Sequence, residues 1–241
     1  MFKFLKIEIE KIKLKQYLFI FSAFNIIFLF YGLYMYYVVQ MDIDKNIIEQ
    51  SFLFSYDGAA FGLCDGTIRC MMLLMAAFLI NNIIIDEYNK NTMDIIFLCP
   101  VDRKKIIRIK AFLVILLTSI GLIVGQIFTA GGSTWLAYTL DIIHQVPTNL
   151  ELTVILKRYL YNDVCFPIIG LIPIYFGMKC KSSRNTLFVA VIVTILSFFG
   201  LEQIIFSFLP FKLPITPAIL AIVGIISLVL SMKMAEHECT C

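Results

Sequence analysis

The sequence predicts an all-α integral membrane protein with six transmembrane helices, and three observations carry that prediction. Charged residues make up 15% of the 241-residue chain, against roughly 25% in soluble domains, and the mean hydropathy is +0.90. Six apolar segments approach or reach the ~20 residues that a helix needs to cross a bilayer core. With the chain starting in the cytosol, 15 of the 20 Lys/Arg fall on the cytosolic side and 5 on the other, the excess that cytosolic loops of membrane proteins carry. Both termini are then cytosolic. A single transmembrane domain over 1–241, with no soluble domain attached, is the expected organisation.

The segments are taken in chain order. Met1–Lys15 holds five lysines among Ile, Leu and Phe. Leu5, Ile9 and Ile12 share a helical face, while stretches such as Ile7-Glu8-Ile9-Glu10 also alternate like a strand. A lone strand would leave its backbone unpaired, so residues 1–16 are read as an amphipathic interfacial helix with lysines toward anionic lipid. The first span, Tyr17–Val39, has 23 residues, too long for a signal-peptide core of about 7–15. The others are Ile68–Ile85, Ala111–Tyr138, Leu160–Met178, Thr186–Leu201 and Pro217–Met232.

Loops alternate in character between these spans. Gln40–Thr67 is outside and acidic, with Asp42, Asp44, Glu49, Asp57 and Asp65. Asp86–Lys110 is inside and basic. Thr139–Tyr159 is outside, Lys179–Asn185 inside, and Glu202–Thr216 outside. The last of these is too apolar for a solvated loop and too broken by Pro210 and Pro214 for a span. It is read as a re-entrant or interfacial hairpin before helix six, because non-helical backbone at membrane depth must be buried in protein or face water.

Within the spans, Gly121 and Gly125 have the GxxxG spacing that lets helices approach. Pro167, Gly170, Pro173 and Gly177 predict a kinked fourth span whose freed carbonyls need partners. Polar groups are few. Arg69 and Asp163 lie near span ends, where each charge can reach the interface, and Arg69 has Asp163 or Glu202 as possible partners. Gln126, Ser133 and Thr134 lie in the outer half of the third span.

Several activities are excluded or disfavoured. The chain has no GxxxxGK[ST] phosphate loop, no HExxH and no GxSxG. Its two histidines, His144 and His237, lie outside the spans, and its seven cysteines are scattered, which is no disulfide framework. The tail His237-Glu238-Cys239-Thr240-Cys241 has weak metal-ligand spacing. No metal site, no catalytic residues and no nucleic-acid partner are expected. An intramembrane enzyme would have to rely on Glu202, Asp163 or a cysteine. No substrate-pathway residue stands out.

The cytosolic loop carries the clearest local pattern. Asn91 can cap a short helix, with Asp94 three residues on as in a capping box. Ile95, Ile96, Leu98 and Cys99 form its apolar face, and Pro100 stops it. Asp102 can cap a second helix that runs through Arg103–Lys110 into the third span. The bland reading is a basic juxtamembrane loop held on lipid.

The run Asp86-Glu87-Tyr88-Asn89-Lys90-Asn91-Thr92, then Pro100-Val101-Asp102-Arg103-Lys104-Lys105-Ile106, then Lys110, resembles the cytosolic loop of ABC-2 type transporter permeases. That family often shows Glu-Tyr-x-x-x-Thr after its second span, a short helix, Pro-x-x-Arg and a basic entry to the third. Glu87, Tyr88, Thr92, Pro100, Arg103 and Lys110 match. The family's basic N-terminal helix, six spans and apolar outer hairpin also fit, while the long Thr139–Tyr159 loop departs from its pattern.

The resemblance implies a permease subunit of an ABC exporter, without an ATPase of its own, in a bacterial cell membrane. Asn91–Cys99 would be the coupling helix. The ATPase-coupling residues would be Glu87, Tyr88, Asn91, Thr92, Asp94, Pro100, Arg103 and Lys104. ATP and Mg would be bound by a separate cytosolic ABC ATPase subunit, and a second permease chain would complete the transporter. Peptide export, including antimicrobial-peptide immunity, is the function the family suggests. The alternative is a non-transporting membrane immunity or sensor protein that binds a peptide or partner directly.

Overall fold

The computed structural model describes residues 14–45, 59–85, 103–143, 149–198 and 215–237, and these residues form helices and short turns with no strand among them. Helix α1 spans Leu14–Asp44 and α2 spans Ala59–Ile80, continued by a π-helical turn, Asn81–Ile85. Helix α3 covers Arg103–Gln126; a second π turn, Ile127–Gly131, leads into α4, Gly132–Thr139. Helices α5 (Asn149–Ile169), α6 (Ile172–Cys180), α7 (Ser183–Phe198) and α8 (Ile215–His237) follow.

Five stretches among the described residues are long and apolar enough to cross a membrane: Tyr17–Asp44, Cys64–Ile85, Lys104–Thr139, Ile155–Cys180 and Thr216–Met234. They correspond to five of the six expected spans. The remaining one has 16 residues, as many as the expected Thr186–Leu201, shifted three residues toward the N-terminus, and is short for a span. Helix α7 has 16 residues, about 24 Å of helix against a bilayer core of ~30 Å. The expected end of that span, Leu201, lies outside the described residues, as do the N-terminal interfacial helix up to residue 13 and the hairpin at 202–214.

Two expected loops are partly helical. Helix α1 continues through Gln40–Asp44, and α2 begins at Ala59, so much of Gln40–Thr67 belongs to helices. Likewise α5 begins at Asn149, inside the expected Thr139–Tyr159 loop. The reason is physical: a hydropathy window stops at the first charges, but a helix continues as long as its backbone bonds are made.

The chain packs as two units, one of residues 15–69 and 120–163, the other of residues 1–14, 70–119 and 164–241. In the first, Tyr36, Val39, Ala130, Ala137, Ile143 and Ile155 form a buried core. Gly32 of α1 lets α4 approach, since a methyl there would stand 2.9 Å from Ser133 Cβ. The GxxxG member Gly125 is used the same way, with Ile68 and Asn25 closing over it. The α4 terminus is a Schellman motif. Asp141 takes the left-handed conformation, φ 54°, its N–H reaches the Tyr138 carbonyl, and the Ile142 N–H reaches the Ala137 carbonyl at 3.0 Å.

In the second unit, the expected kink is a break. Helix α5 ends at Ile169 and α6 starts with Pro173 in its first turn. Helix α8 covers the break. The Ser227 hydroxyl lies 3.1 Å from the Leu171 carbonyl and 3.0 Å from that of Ile172, so its proton serves either. Gly224, one turn earlier, admits the Ile168 carbonyl where any side chain would collide with it. Large apolar side chains remain exposed on the outer faces, among them Phe19 at 74% and Phe188 at 66%. So much exposed apolar surface is a liability in water and is compatible with a multi-pass membrane protein.

Gly224→Ala is therefore expected to lower the thermal unfolding midpoint, with a cost of about 1–3 kcal/mol from overpacking. Gly131→Ala, where a new methyl meets open space, is expected to be neutral or mildly stabilising. Fluorescence-detected melting of both variants in lipid nanodiscs checks the contrast.

Candidate functional site

The residues that sequence analysis assigns to ATPase coupling fall mostly outside the described residues: Glu87, Tyr88, Asn91, Thr92, Asp94 and Pro100 all lie in 86–102. Arg103 is the first residue of α3, and Lys104 follows, half-buried. The structure describes the residues that flank 86–102 on either side in the chain.

Before it comes the end of α2 with its π turn, where Ile83, Ile84 and Ile85 are buried. After it comes the start of α3. Here Lys105 and Arg108 face out, while Ile106, Ile107, Ile109 and Lys110 are buried. The helix start has no acidic residue in its first turn and opens on Arg103, Lys104 and Lys105. This basic run follows the 86–102 segment directly in sequence.

Lys110 requires a correction. The sequence places it in the basic cytosolic loop, at the end of the helix through Arg103–Lys110, yet it is 1% exposed. Its ammonium donates to the Ile83 carbonyl at 2.9 Å. Burial follows from helical phase: Lys110 shares a face with Ile106, Ile107 and Leu113, which are also buried. It cannot contribute to an exposed basic surface.

A second polar group of residues lies in the unit of residues 15–69 and 120–163. Asp65 and Arg69 of α2 form an ion pair one helical turn apart. Gln126, the last residue of α3, donates through Nε2 to Asp65 Oδ1 at 3.0 Å. Asp163 of α5 lies near enough to Gln126 and Arg69 to feel both electrostatically. Asp65 is 0% exposed, Gln126 4% and Arg69 8%. Arg69 is thus within electrostatic reach of Asp163, one of the two partners the sequence offers, while Glu202 lies outside the described residues. Arg69 is buried and Asp163 half-buried.

Sequence reading missed Asp65 as a member, because the helix was expected to begin after it. The available signal was the Asp65–Arg69 spacing of four residues, which places both on one helix face. The Gln126 side chain is followed at once by the π turn Ile127–Gly131, a feature that often marks functional positions and that hydropathy cannot reveal. In a helix of membrane length, paired ionisable residues are expensive and point to function or to specific assembly.

Among the described residues, no group of three or more His, Cys, Asp or Glu is placed to hold a metal ion. Cys64, Cys70, Cys165 and Cys180 are not in disulfides.

Comparison with known proteins places the chain beside one relative. It is 30% identical over 140 residues to the uncharacterized protein YcbO of Bacillus subtilis (strain 168), an alignment covering 57% of this chain and 60% of that protein. The match therefore spans less than two thirds of the relative's length. No family model matches the chain, and no solved structure matches it.

Replacing Arg69 with Met leaves Asp65 buried without its counter-charge, and removing one partner of a buried pair costs about 3–5 kcal/mol. The double variant Asp65→Asn with Arg69→Met removes both charges and leaves Gln126 an acceptor, so it is expected to regain much of that loss. Melting midpoints of the single and double variants in nanodiscs form the cycle. Additive losses would show that the pair is not coupled.

Proposed function

We propose that this chain is the membrane permease subunit of an ABC-type exporter, with six transmembrane helices and both termini in the cytosol. A separate cytosolic ABC ATPase binds ATP and Mg and drives it. The observation that carries the reading is the 86–110 region. There, a motif like that of ABC-2 permeases is followed by the basic run Arg103, Lys104 and Lys105. Such a run beside that motif suits an acidic face on a partner subunit.

The membrane-length helices support the location. The Lys/Arg asymmetry supports the orientation, with 86–110 on the cytosolic side. With no phosphate-binding loop of its own, the chain takes its energy from elsewhere. Glu87, Tyr88, Asn91, Thr92, Asp94, Pro100, Arg103 and Lys104 form the contact with the ATPase. A second permease chain completes the pathway, and the cargo is a peptide or another amphipathic molecule. The membrane is a bacterial plasma membrane.

The test is co-purification from native membranes with mild detergent. The chain is expected to bring down a stoichiometric subunit bearing GxxxxGK[ST]. Replacing Asn91–Cys99 with a Gly/Ser linker of equal length is expected to release it while the chain stays folded. Full biological activity with no such subunit would contradict the permease reading and favour a membrane protein that binds its peptide or partner directly.

A further inference from the structure

We propose that the turn joining α6 to α7 is a binding site for an anionic phospholipid, its phosphate held by Lys179, Lys181 and Arg184 and its acyl chains lying on apolar side chains one helical turn deeper. The site needs no ATPase and is independent of the permease reading.

Positive charge collects at this turn. Residues 164–198 and 215–234 carry four cations, Lys179, Lys181, Arg184 and Lys233, and no Asp or Glu. All four are exposed, and Lys179 and Arg184 form no ion pair among the described residues. Helix α6 ends at Cys180 and α7 starts at Ser183. Between them Lys181 takes the left-handed conformation, φ 46°, which turns the chain back. Helix α8 packs on α6 and runs in the same direction, because Gly224 meets Ile168 and Ser227 meets Leu171 and Ile172. At ~1.5 Å per residue, Lys233 lies about 9 Å past Ser227 and Lys179 about 10 Å past Ile172. Both therefore stand at the same end of the unit as the turn.

Cations at the rim of a membrane protein commonly reach for water. Here they are stacked on lipid-like surface. Lys179 follows the exposed Phe176 by three residues, and Arg184 precedes the exposed Phe188 by four. Those spacings put each cation and its ring on one face of their helix. Lys233 and the exposed Leu230 repeat the arrangement on α8. The Lys179 ammonium stands over the Tyr175 ring, 5.9 Å from its centre, and Tyr175 meets Phe176 edge-on at 5.4 Å. Tyrosine suits the level of the headgroups.

Each helix thus offers positive charge at its end and apolar surface one turn deeper, the complement of a negative headgroup with its chains. Lysine and arginine hold phosphate by charge-assisted hydrogen bonds, and the arginine fork can engage two oxygens at once. Basic pockets between membrane helices take lipid headgroups in this way. A free phosphate or an acidic protein face would answer the charge but leave Phe176 and Phe188 without an occupant. A zwitterionic lipid brings its own cation, which the four cations repel.

The experiment offers the full chain, purified in mild detergent, equal amounts of phosphatidylglycerol and phosphatidylcholine, and counts retained lipid by native mass spectrometry. Wild type is expected to favour phosphatidylglycerol by about tenfold, as several basic residues acting together give. Lys179→Gln with Arg184→Gln is expected to lose that preference. Lys105→Gln with Arg108→Gln removes the same charge from exposed positions of α3 and is expected to keep it. Phe176→Ser with Phe188→Ser leaves the charge intact and is expected to lower phosphatidylglycerol retention several-fold. Glycerol 3-phosphate in solution is expected not to displace the lipid.

Equal loss from the two charge-removing pairs marks a diffuse attraction and overturns the site. Displacement by glycerol 3-phosphate, or no effect of the phenylalanine pair, marks a site for the anion alone and overturns it as well. An unchanged preference in Lys179→Gln with Arg184→Gln also overturns it, and loss of a co-purifying subunit in that variant would assign the turn to a protein contact. If that variant does not fold, wild type in phosphatidylcholine nanodiscs decides, with phosphatidylglycerol carrying a photoreactive acyl chain. Labelling concentrated on 175–190 supports the site, and labelling no stronger there than along the exposed faces of α1 and α3 overturns it.

Discussion

The constraint behind these interactions is that polar groups removed from water must find partners inside the protein. In an apolar surround, an unpaired carbonyl, amide or charge costs several kcal/mol. The places where this chain departs from plain helix are the places where that demand is met by a specific side chain. Ser227 covers the carbonyls at the α5–α6 break. Lys110 pairs with the Ile83 carbonyl in the π turn after α2. Gln126 holds Asp65 where α3 gives way to its π turn. Each pairing joins residues at least 27 positions apart, so satisfying the backbone or a charge also fixes which helices are neighbours.

The same demand separates polar residues that hold the bundle together from those that meet the outside. Asp65, Arg69, Gln126 and Lys110 are turned inward and partnered. Lys105 and Arg108 are turned outward near the start of α3. The contrast within a single basic stretch, Arg103–Lys110, separates a structural lysine from surface cations. It directs the proposed partner contact toward the 86–102 side of α3.

Much of the fold was legible in the sequence because apolar run length is a direct physical requirement for a helix in a bilayer. The helix from Arg103, the end of the third apolar stretch near Tyr138 and the discontinuity around Pro167 and Pro173 follow from composition and from proline's missing donor. Other features were hidden. Asp44 and Ala59 lie within helices because charge ends a hydropathy window without ending a helix. The burial of Lys110 depends on helical phase. The two π turns change hydrogen-bond register without a compositional mark. The Asp65–Arg69 spacing was present but was assigned across a loop boundary, which concealed the pair. For the coupling residues from Glu87 to Pro100, resemblance is the whole of the argument.

The account stands on the side of the membrane to which the start of α3 is exposed. The most direct measurement is labelling of single cysteines by a membrane-impermeant maleimide in intact cells, in a chain whose own seven cysteines are replaced. Cysteines introduced at the exposed positions Asp44 and Asp141 are predicted to react at once. One at Lys105, also exposed, is predicted to react only after the membrane is permeabilised. Reaction at Lys105 in intact cells, with Asp44 and Asp141 protected, would invert the orientation and remove any role for a cytosolic ATPase at this loop.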